Sequence, residues 1–243
     1  MKTRTRKRPT LAKRPPARAT RRQHTPTARG ADAVVRQLDT IEKTEGSGAL
    51  ELPGGTLDVT NLDKVYFPKT GHTKGDVMRY YARVAPMLLP AIADRPLVMR
   101  RFPNGVRGHA FYQQKAPTTA PDIVRVERVV DEKDEGLTPA DRLVGGDLAT
   151  LLYVVQLGAI SIDPWHSHVP AVYFADYSII DLDPGTHASF ARVVAVAHVV
   201  KQVLDEIGLH AVPKTSGASG LHVVLPLGPR AADASLSACE AMP

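Results

Sequence analysis

Cysteine is almost absent from this 243-residue sequence, and long apolar runs are missing altogether. The single cysteine, Cys239, cannot form an internal disulfide, and it excludes a zinc site built from several cysteines. No apolar run approaches the roughly 18 to 20 residues that span a bilayer, and the N-terminus lacks the apolar stretch of a secretory signal. We therefore expect a cytoplasmic protein with no membrane partner.

Acidic residues are missing from the first 30 residues, which hold 11 of the 31 lysines and arginines. The other 213 residues carry 20 basic and 25 acidic side chains, so the net charge of +6 combines a basic tail with a mildly acidic body. The tail is too poor in large apolar residues to offset its ordering entropy. Disorder is expected over residues 1–49, with a short helical pattern at 31–41 as a transient exception. Such a tail either attracts polyanions through counterion release or serves as a solubilising arm.

The overall composition, 43% hydrophobic and 23% charged, is typical of a globular protein. We predict one folded domain at residues 50–229, followed by an irregular tail at 230–243.

Periodicity predicts helices at 73–89, 147–157 and 187–207. The first helix starts at a capping box of Thr73 and Asp76 and ends or bends at Pro86. Strands are predicted at 97–102, 124–130, 159–162, 172–182 (apolar enough to be central), 211–215 and 221–225. Helices and strands are mixed without regular βαβ alternation and the last two strands look like a hairpin. The predicted fold class is therefore α+β with a mainly antiparallel sheet.

Two aspartates, Asp181 and Asp183, stand at the end of an apolar strand. Side chains alternate across a strand, so both carboxylates point to one face while Ile180 and Leu182 point into the core. With Cα atoms about 6.5 to 7 Å apart, both carboxylates can reach one divalent cation or bridge two. Their mutual repulsion calls for a positive group between them, which Mg²⁺ or Mn²⁺ would supply. The alternative is an ordinary strand-end turn, where Asp before Pro is common.

A glycine-rich turn at residues 216–220 joins the last two strands, and His222 follows it. Successive backbone N–H groups in such a turn can form an anion nest, to which Ser216 adds a hydroxyl and Lys214 a charge. The alternatives are a plain hairpin and a histidine satisfied in the core. Carboxylates for a metal on one strand and donors for phosphates beside it are the layout of nucleotidyl transfer by two metal ions.

Many ordered blocks between about residues 57 and 227 resemble the polymerase module of bacterial DNA ligase D, a member of the archaeo-eukaryotic primase superfamily. The blocks are 63–68, 73–76, 95–97, 101–105, 111–113, 147–151, 157–160, 181–184, 215–217 and 220–222. No single block is specific to this family, but the occurrence of all of them in this order along the chain is. The resemblance implies a primase-like fold.

The resemblance also implies an activity: template-dependent addition of NTP or dNTP at broken DNA ends during non-homologous end joining. Ku and ligase modules are the implied protein partners, and a nucleoid-associated location follows.

The implied site residues are Asp181 and Asp183 for the catalytic metals; Ser216, Gly217, Gly220, His222, Arg100 and Arg101 for the incoming nucleotide; Lys64 and Lys74 for the 5′-phosphate at a gap or break; and Phe111 and Tyr112 for stacking near the template end. The lysines could instead form a solvated face, and the aromatic pair could belong to the core. Because Arg100 and Arg101 are adjacent on a strand, they point to opposite faces and cannot both reach one phosphate.

The sequence also departs from the family pattern. The family has a third catalytic carboxylate on a strand beyond the histidine, whereas the sequence after Pro229 shows no strand pattern, so we expect a truncated polymerase module. Ser161 and Asp163 stand where the family usually has Glu and His, and Gln114 and Ser219 stand where it often has lysine. Three hypotheses therefore stay open: a metal-dependent nucleotidyltransferase, a module that binds 5′-phosphorylated DNA ends without turnover, and a non-functional remnant.

Overall fold

The computed structural model describes residues 28–129, 139–186, 188–217 and 219–228. The helices of this part are α1 (Ala28–Thr44), α2 (Lys74–Ala91), α3 (Leu148–Gln156) and α4 (Phe190–Glu206). The strands are β1 (Gly48–Leu52), β2 (Gly55–Val59), β3 (Val65–Phe67), β4 (His72–Thr73), β5 (Leu97–Arg101), β6 (Phe111–Gln113), β7 (Val126–Val129), β8 (Ala140–Leu143), β9 (Ala159–Pro164), β10 (Tyr177–Leu182), β11 (Val212–Thr215) and β12 (Leu221–Pro226). The predictions for residues 1–27 and for the tail at 230–243 lie outside the described residues.

Every strand pair in the described part of the chain is antiparallel, which confirms the predicted α+β class. The strands of the described ranges form five small sheets, in the orders β1-β2, β3-β4, β6-β5-β9, β7-β8 and β10-β12-β11. Strand β10 is thus an edge strand and β12 is central, contrary to the expectation for residues 172–182. None of the helices in the described ranges has the length and apolar character needed to cross a membrane.

Helix α1 belongs to the core, so the prediction of disorder is wrong for residues 28–49. Val34, Val35 and Leu38 are buried in the main hydrophobic cluster, and α1 packs against α2 and β1. An apolar stripe at helical spacing is enough for this packing once α2 supplies the opposing surface. The folded part therefore begins earlier than the predicted boundary at residue 50.

Helix α2 begins at the predicted capping box. The Asp76 amide donates to Thr73 Oγ1 at 3.1 Å, and the Thr73 amide donates to Asp76 Oδ2 at 2.8 Å. Pro86 does not end the helix, which continues to residue 91. The buried side chains of Ala85 and Leu89 on either side of Pro86 hold this stretch in the core, which offsets the missing hydrogen bond.

Most of the buried hydrophobic residues in the described ranges belong to one of two clusters. The larger one joins α1, α2 and α3 to strands β1, β2, β5 and β9. In the smaller one, Leu204 of α4 packs against Val223 and Leu225 of β12, with Ile180 and Leu182 of β10 at its margin. The inward face predicted for β10 is therefore confirmed. The alternate residues of β10 and β12 lie on the other face, away from α4.

Candidate nucleotide and DNA-end site

Asp181, His222 and Lys214 form a row across the sheet β10-β12-β11. Asp181 lies opposite His222 in the β10–β12 pair, and Lys214 lies opposite His222 in the β11–β12 pair. Directly opposed residues of antiparallel strands share a face. The Nε2 atom of His222 is 3.6 Å from Asp181 Oδ1, and the two side chains are 27% and 56% exposed. An acidic, an imidazole and a basic side chain thus share the face of this sheet that α4 does not cover.

The glycine turn lies directly against the second aspartate. A Cβ atom on Gly220 would be 2.6 Å from Asp183 Oδ1 and 2.7 Å from the Leu182 carbonyl oxygen, closer than any side chain tolerates. Only glycine permits this approach of the turn to the end of β10. The structure therefore brings the acidic pair and the turn together in one site.

Two backbone donors of the turn are already used inside it. The Gly220 amide donates to Ser216 Oγ and the Ser216 amide donates to the Gly220 carbonyl oxygen, both at 3.1 Å. Because the Ser216 oxygen acts as an acceptor here, its own hydroxyl proton is left to donate to a phosphate. Gly217, at φ +95°, gives the turn its left-handed bend. Among the described residues of the turn, the predicted nest is therefore restricted to the Ser216 hydroxyl and the amides of Gly217 and Ser219.

The donor set at the end of β10 suits a hard divalent cation bound through two carboxylates. Asp181 and Asp183 are both exposed, and strand alternation predicts that they share one side, beside a turn that can receive phosphates. Mg²⁺ usually binds one or two carboxylates and completes its octahedron with water and substrate phosphates. Among the described residues no group of three or more His, Cys, Asp or Glu side chains could hold a metal ion.

The predicted DNA-end lysines come together at the N-terminus of α2. The Lys64 amino group donates to the Pro103 carbonyl oxygen at 2.7 Å and to Asn104 Oδ1 at 2.9 Å. The Lys74 amino group donates to the Thr60 carbonyl oxygen at 2.8 Å. Lys74 is only 4% exposed, so the alternative of a solvated face is wrong for this residue.

Arg101 adds a third positive charge to the lysines. Its guanidinium donates to the Leu157 carbonyl oxygen at 2.6 Å and to Gln113 Oε1 at 2.7 Å. Burial in the first place, and then the charges of Lys64 and Arg101, lower the pKa of Lys74 to about 8. We call Lys64, Lys74 and Arg101 the cationic cluster. A bound anion would relieve the repulsion within it.

The two arginines of β5 point to opposite faces, as the alternation predicts. The Arg100 guanidinium carbon lies 5.8 Å from the Tyr112 ring centroid, and that of Arg101 lies 5.2 Å from the Phe111 centroid. The alternative that the aromatic pair belongs to the core is wrong, since Tyr112 is 63% exposed and Phe111 is exposed as well. Each ring therefore offers a surface for stacking beside a basic side chain.

Two of the departures from the family pattern lie beside Arg100. Ser161 is opposite Arg100 in the β5–β9 pair, and Asp163 is opposite Val98, two residues earlier on the same face. The Ser161 hydroxyl donates to Asp163 Oδ1 at 3.4 Å. Arg100 thus shares its face with a carboxylate.

The sequence reasoning missed the contact that orients β10. Arg95, which is 6% exposed, pairs with both carboxylate oxygens of Asp176, the residue before β10. It also donates to the Trp165 carbonyl oxygen at 3.2 Å, and His168 Nε2 lies 3.1 Å from the same carboxylate. Arg95 and Asp176 are 81 residues apart, so no local pattern could reveal the pair.

Comparison with known proteins gives consistent matches. The family model described as "LigD, primase-polymerase domain" matches residues 73–242. The "Multifunctional non-homologous end joining protein LigD" of Mycobacterium bovis is 35% identical over 184 residues, covering 70% of this chain and 23% of that protein. The "Bifunctional non-homologous end joining protein LigD" of Bacillus subtilis is 33% identical over 179 residues, covering 72% of this chain and 27% of that protein.

A solved structure, the "Polymerase Domain from Mycobacterium tuberculosis Ligase D in complex with DNA", matches with a TM-score of 0.60 at 31% identity. The match covers 70% of this chain and 61% of that chain, and it supports the α+β fold. The chain spans about a quarter of the length of the curated relatives. Because the family model matches well over half of the sequence, the chain belongs to the LigD primase-polymerase domain family.

Proposed function

We propose that this chain adds nucleotides to broken DNA ends during non-homologous end joining. Its family membership supports the proposal, as do the names of its relatives and the DNA bound to the solved polymerase domain. The observation that carries the chemistry is the contact between the glycine turn and the end of β10. There Asp183 Oδ1 lies 2.6 Å from the position that a Gly220 Cβ would take. Groups suited to a metal and groups suited to phosphates thus meet at one point.

At this site Asp181 and Asp183 would hold Mg²⁺ or Mn²⁺ together with phosphate oxygens of an NTP or dNTP. When bound there, the metal would make the primer 3′-hydroxyl more acidic and neutralise charge on the phosphates. The Ser216 hydroxyl and the His222 imidazole would donate hydrogen bonds to the triphosphate. These groups hold the nucleotide so that its α-phosphate can face the primer end, and such positioning contributes much of the catalysis of phosphoryl transfer.

The cationic cluster would bind the 5′-phosphate on the far side of a gap or break. An ammonium has three donors, and the described residues accept two from Lys64 and one from Lys74, so donors are left for a phosphate. Phe111 and Tyr112 would stack on template bases, and Arg100 would contact the nucleotide from its own face. Arg101 is assigned to the 5′-phosphate because it lies with the lysines. Ku and ligase modules as partners, and a nucleoid-associated cytoplasmic location, are further proposals that follow from the family.

Primer extension with Mn²⁺ tests the enzyme directly. The wild-type chain is expected to extend a primer on a gapped duplex, whereas Asp181→Ala and Asp183→Ala abolish incorporation. Asp205→Ala is a matched control, since Asp205 is an exposed carboxylate paired with Lys201 on α4, the helix that packs against β10 and β12. Absence of incorporation by the purified wild-type chain, or equal loss in the control, would contradict the proposed chemistry.

A second candidate is binding of 5′-phosphorylated DNA ends without turnover. It is favoured because the two sets of groups stand on different parts of the fold. The cationic cluster is carried by elements next to the larger hydrophobic cluster, whereas the acidic pair stands at the end of β10, which borders the smaller one. This candidate predicts salt-sensitive binding that prefers a 5′-phosphate, is weakened by Lys64→Ala with Lys74→Ala, and is unchanged by Asp181→Ala. End binding with no incorporation in the extension assay selects this candidate over the enzyme.

A further inference from the structure

The carboxylate of Glu42, in α1, lies against the first turn of α2. It accepts a hydrogen bond from the Thr73 hydroxyl at 2.7 Å and an ion-pair hydrogen bond from Arg79. A Cβ atom on Gly75 would be 2.7 Å from Glu42 Oε2, so the carboxylate is seated on the helix backbone itself. Thr73 is the N-cap of α2, and Gly75 is its second residue.

Lys74 lies between these two contact points. Its amide donates to the Lys64 carbonyl oxygen at 2.8 Å, and the next amide, of Gly75, donates to the Leu62 carbonyl oxygen at 2.7 Å. The first turn of α2 is thus held on one side by residues 60–64 and on the other by Glu42. We infer that Glu42 is a positioning residue, through which α1 sets the placement of the Lys74 ammonium in the 5′-phosphate site.

The orientation of Glu42 is itself fixed by charge and burial. Its side chain is 17% exposed and pairs with Arg79, whose side chain is 10% exposed. Arg79 also contacts Asp76 at 2.7 Å and Asp39 at 3.2 Å. A carboxylate so largely removed from water needs such fixed partners, and their geometry leaves it little freedom to move.

The inference assigns a role to a part of the chain that the family model does not cover, because α1 ends before residue 73. It rests on the proposed binding of a 5′-phosphate by Lys74. Asp39 offers a matched control: it lies on the same helix and contacts the same arginine. Unlike Glu42, it is not among the contacts of Thr73 or Gly75.

The test compares Glu42→Ala with Asp39→Ala, since alanine maintains the helix at both positions. The ratio of dissociation constants for recessed DNA ends with a 5′-hydroxyl and with a 5′-phosphate measures phosphate recognition. We expect the ratio to fall about fivefold in Glu42→Ala, the size of effect that follows loss of one capping contact. Asp39→Ala should stay within about twofold of wild type. Equal ratios in the two variants overturn the inference.

A DNA-independent measurement separates this inference from the proposed function. The ¹³C chemical shift of the Lys74 ε-carbon, followed against pH, reports the Lys74 pKa in the free protein. In Glu42→Ala the pKa should rise from about 8 towards the ordinary 10.5 as the first turn loosens, and in Asp39→Ala it should not. An unchanged Lys74 pKa in folded Glu42→Ala overturns the inference. Equal affinity of the wild-type chain for 5′-phosphate and 5′-hydroxyl ends refutes the proposed 5′-phosphate binding instead. If Glu42→Ala does not fold, Glu42→Gln can replace it, because glutamine retains the size of the side chain. Glu42→Gln should also lower the ratio of dissociation constants and raise the Lys74 pKa.

Discussion

Raising the pH from 7 to 9 should weaken recognition of a 5′-phosphate by removing the charge of one buried lysine. The pKa of Lys74 is lowered to about 8, chiefly by burial and then by Lys64 and Arg101. About nine tenths of Lys74 is therefore protonated at pH 7 and about one tenth at pH 9. The phosphate, with its second pKa near 6, stays doubly ionised across this range. If only protonated Lys74 binds it, the preference for 5′-phosphate over 5′-hydroxyl ends should fall about tenfold.

The stability of the protein should change in the opposite direction. Because the folded-state pKa of Lys74 lies below the ordinary 10.5, the unfolded chain binds more protons between pH 8 and 10.5. Raising the pH through this window should therefore increase the free energy of unfolding, by up to about 3 kcal/mol from this group. Deprotonation of Lys74 therefore does not itself unfold the protein while it lowers the phosphate preference.

Fluorescence anisotropy with end-labelled duplexes at constant ionic strength measures the preference at each pH. Lys64→Ala should weaken binding and move the pH dependence to higher pH, because the charge of Lys64 helps to lower the pKa of Lys74. Lys74→Arg should remove the dependence, since arginine stays charged throughout. A preference that stays constant within twofold from pH 7 to 9 in the wild type would refute the reasoning.

Three other substitutions test separate parts of the structure. Arg95→Ala should lower the free energy of unfolding by about 3 kcal/mol in denaturant titration, because the substitution removes the bidentate partner of the Asp176 carboxylate. A loss below about 1 kcal/mol would contradict this role. Tyr112→Ala should weaken single-stranded template binding by about 1 to 3 kcal/mol, whereas the similarly exposed Tyr80→Ala on α2 should not. Leu38→Ala should cost about 2 to 5 kcal/mol of stability and Val196→Ala, on the exposed side of α4, less than about 0.5 kcal/mol; equal effects would mean that α1 is not part of the core.

Features that depend on neighbouring residues could be predicted from the sequence. The capping box of Thr73 and Asp76 needs only a three-residue spacing, and the inward face of Ile180 and Leu182 needs only strand alternation. The hairpin with His222 on its outer face follows from the same alternation and a glycine turn. In each case the chemistry that decides the structure lies within one turn or one strand.

Features that depend on distant partners could not be predicted. Helix α1 directly follows the basic tail, and although its helical spacing is visible in the sequence, only contact with α2 shows that Leu38 belongs to the core. The burial of Lys74 depends on Thr60 and the loop before α2, and the position of Arg101 depends on the C-terminal end of α3. The edge position of β10 depends on β12 lying between it and β11. None of these partners is fixed by residue type or spacing alone.

The central claim is that the acidic pair and the glycine turn form one binding site for a nucleotide with its metal. Calorimetric titration of a non-hydrolysable nucleoside triphosphate in Mn²⁺ can compare Gly220→Ala with Gly185→Ala. A Cβ on Gly220 would collide with Asp183 and the backbone of Leu182, whereas a Cβ on Gly185 has no heavy atom within 4 Å. Gly220→Ala should weaken binding at least about tenfold, the equivalent of one lost contact to a charged group, and Gly185→Ala should leave it within about twofold. Equal affinities for wild type and Gly220→Ala would contradict the claim.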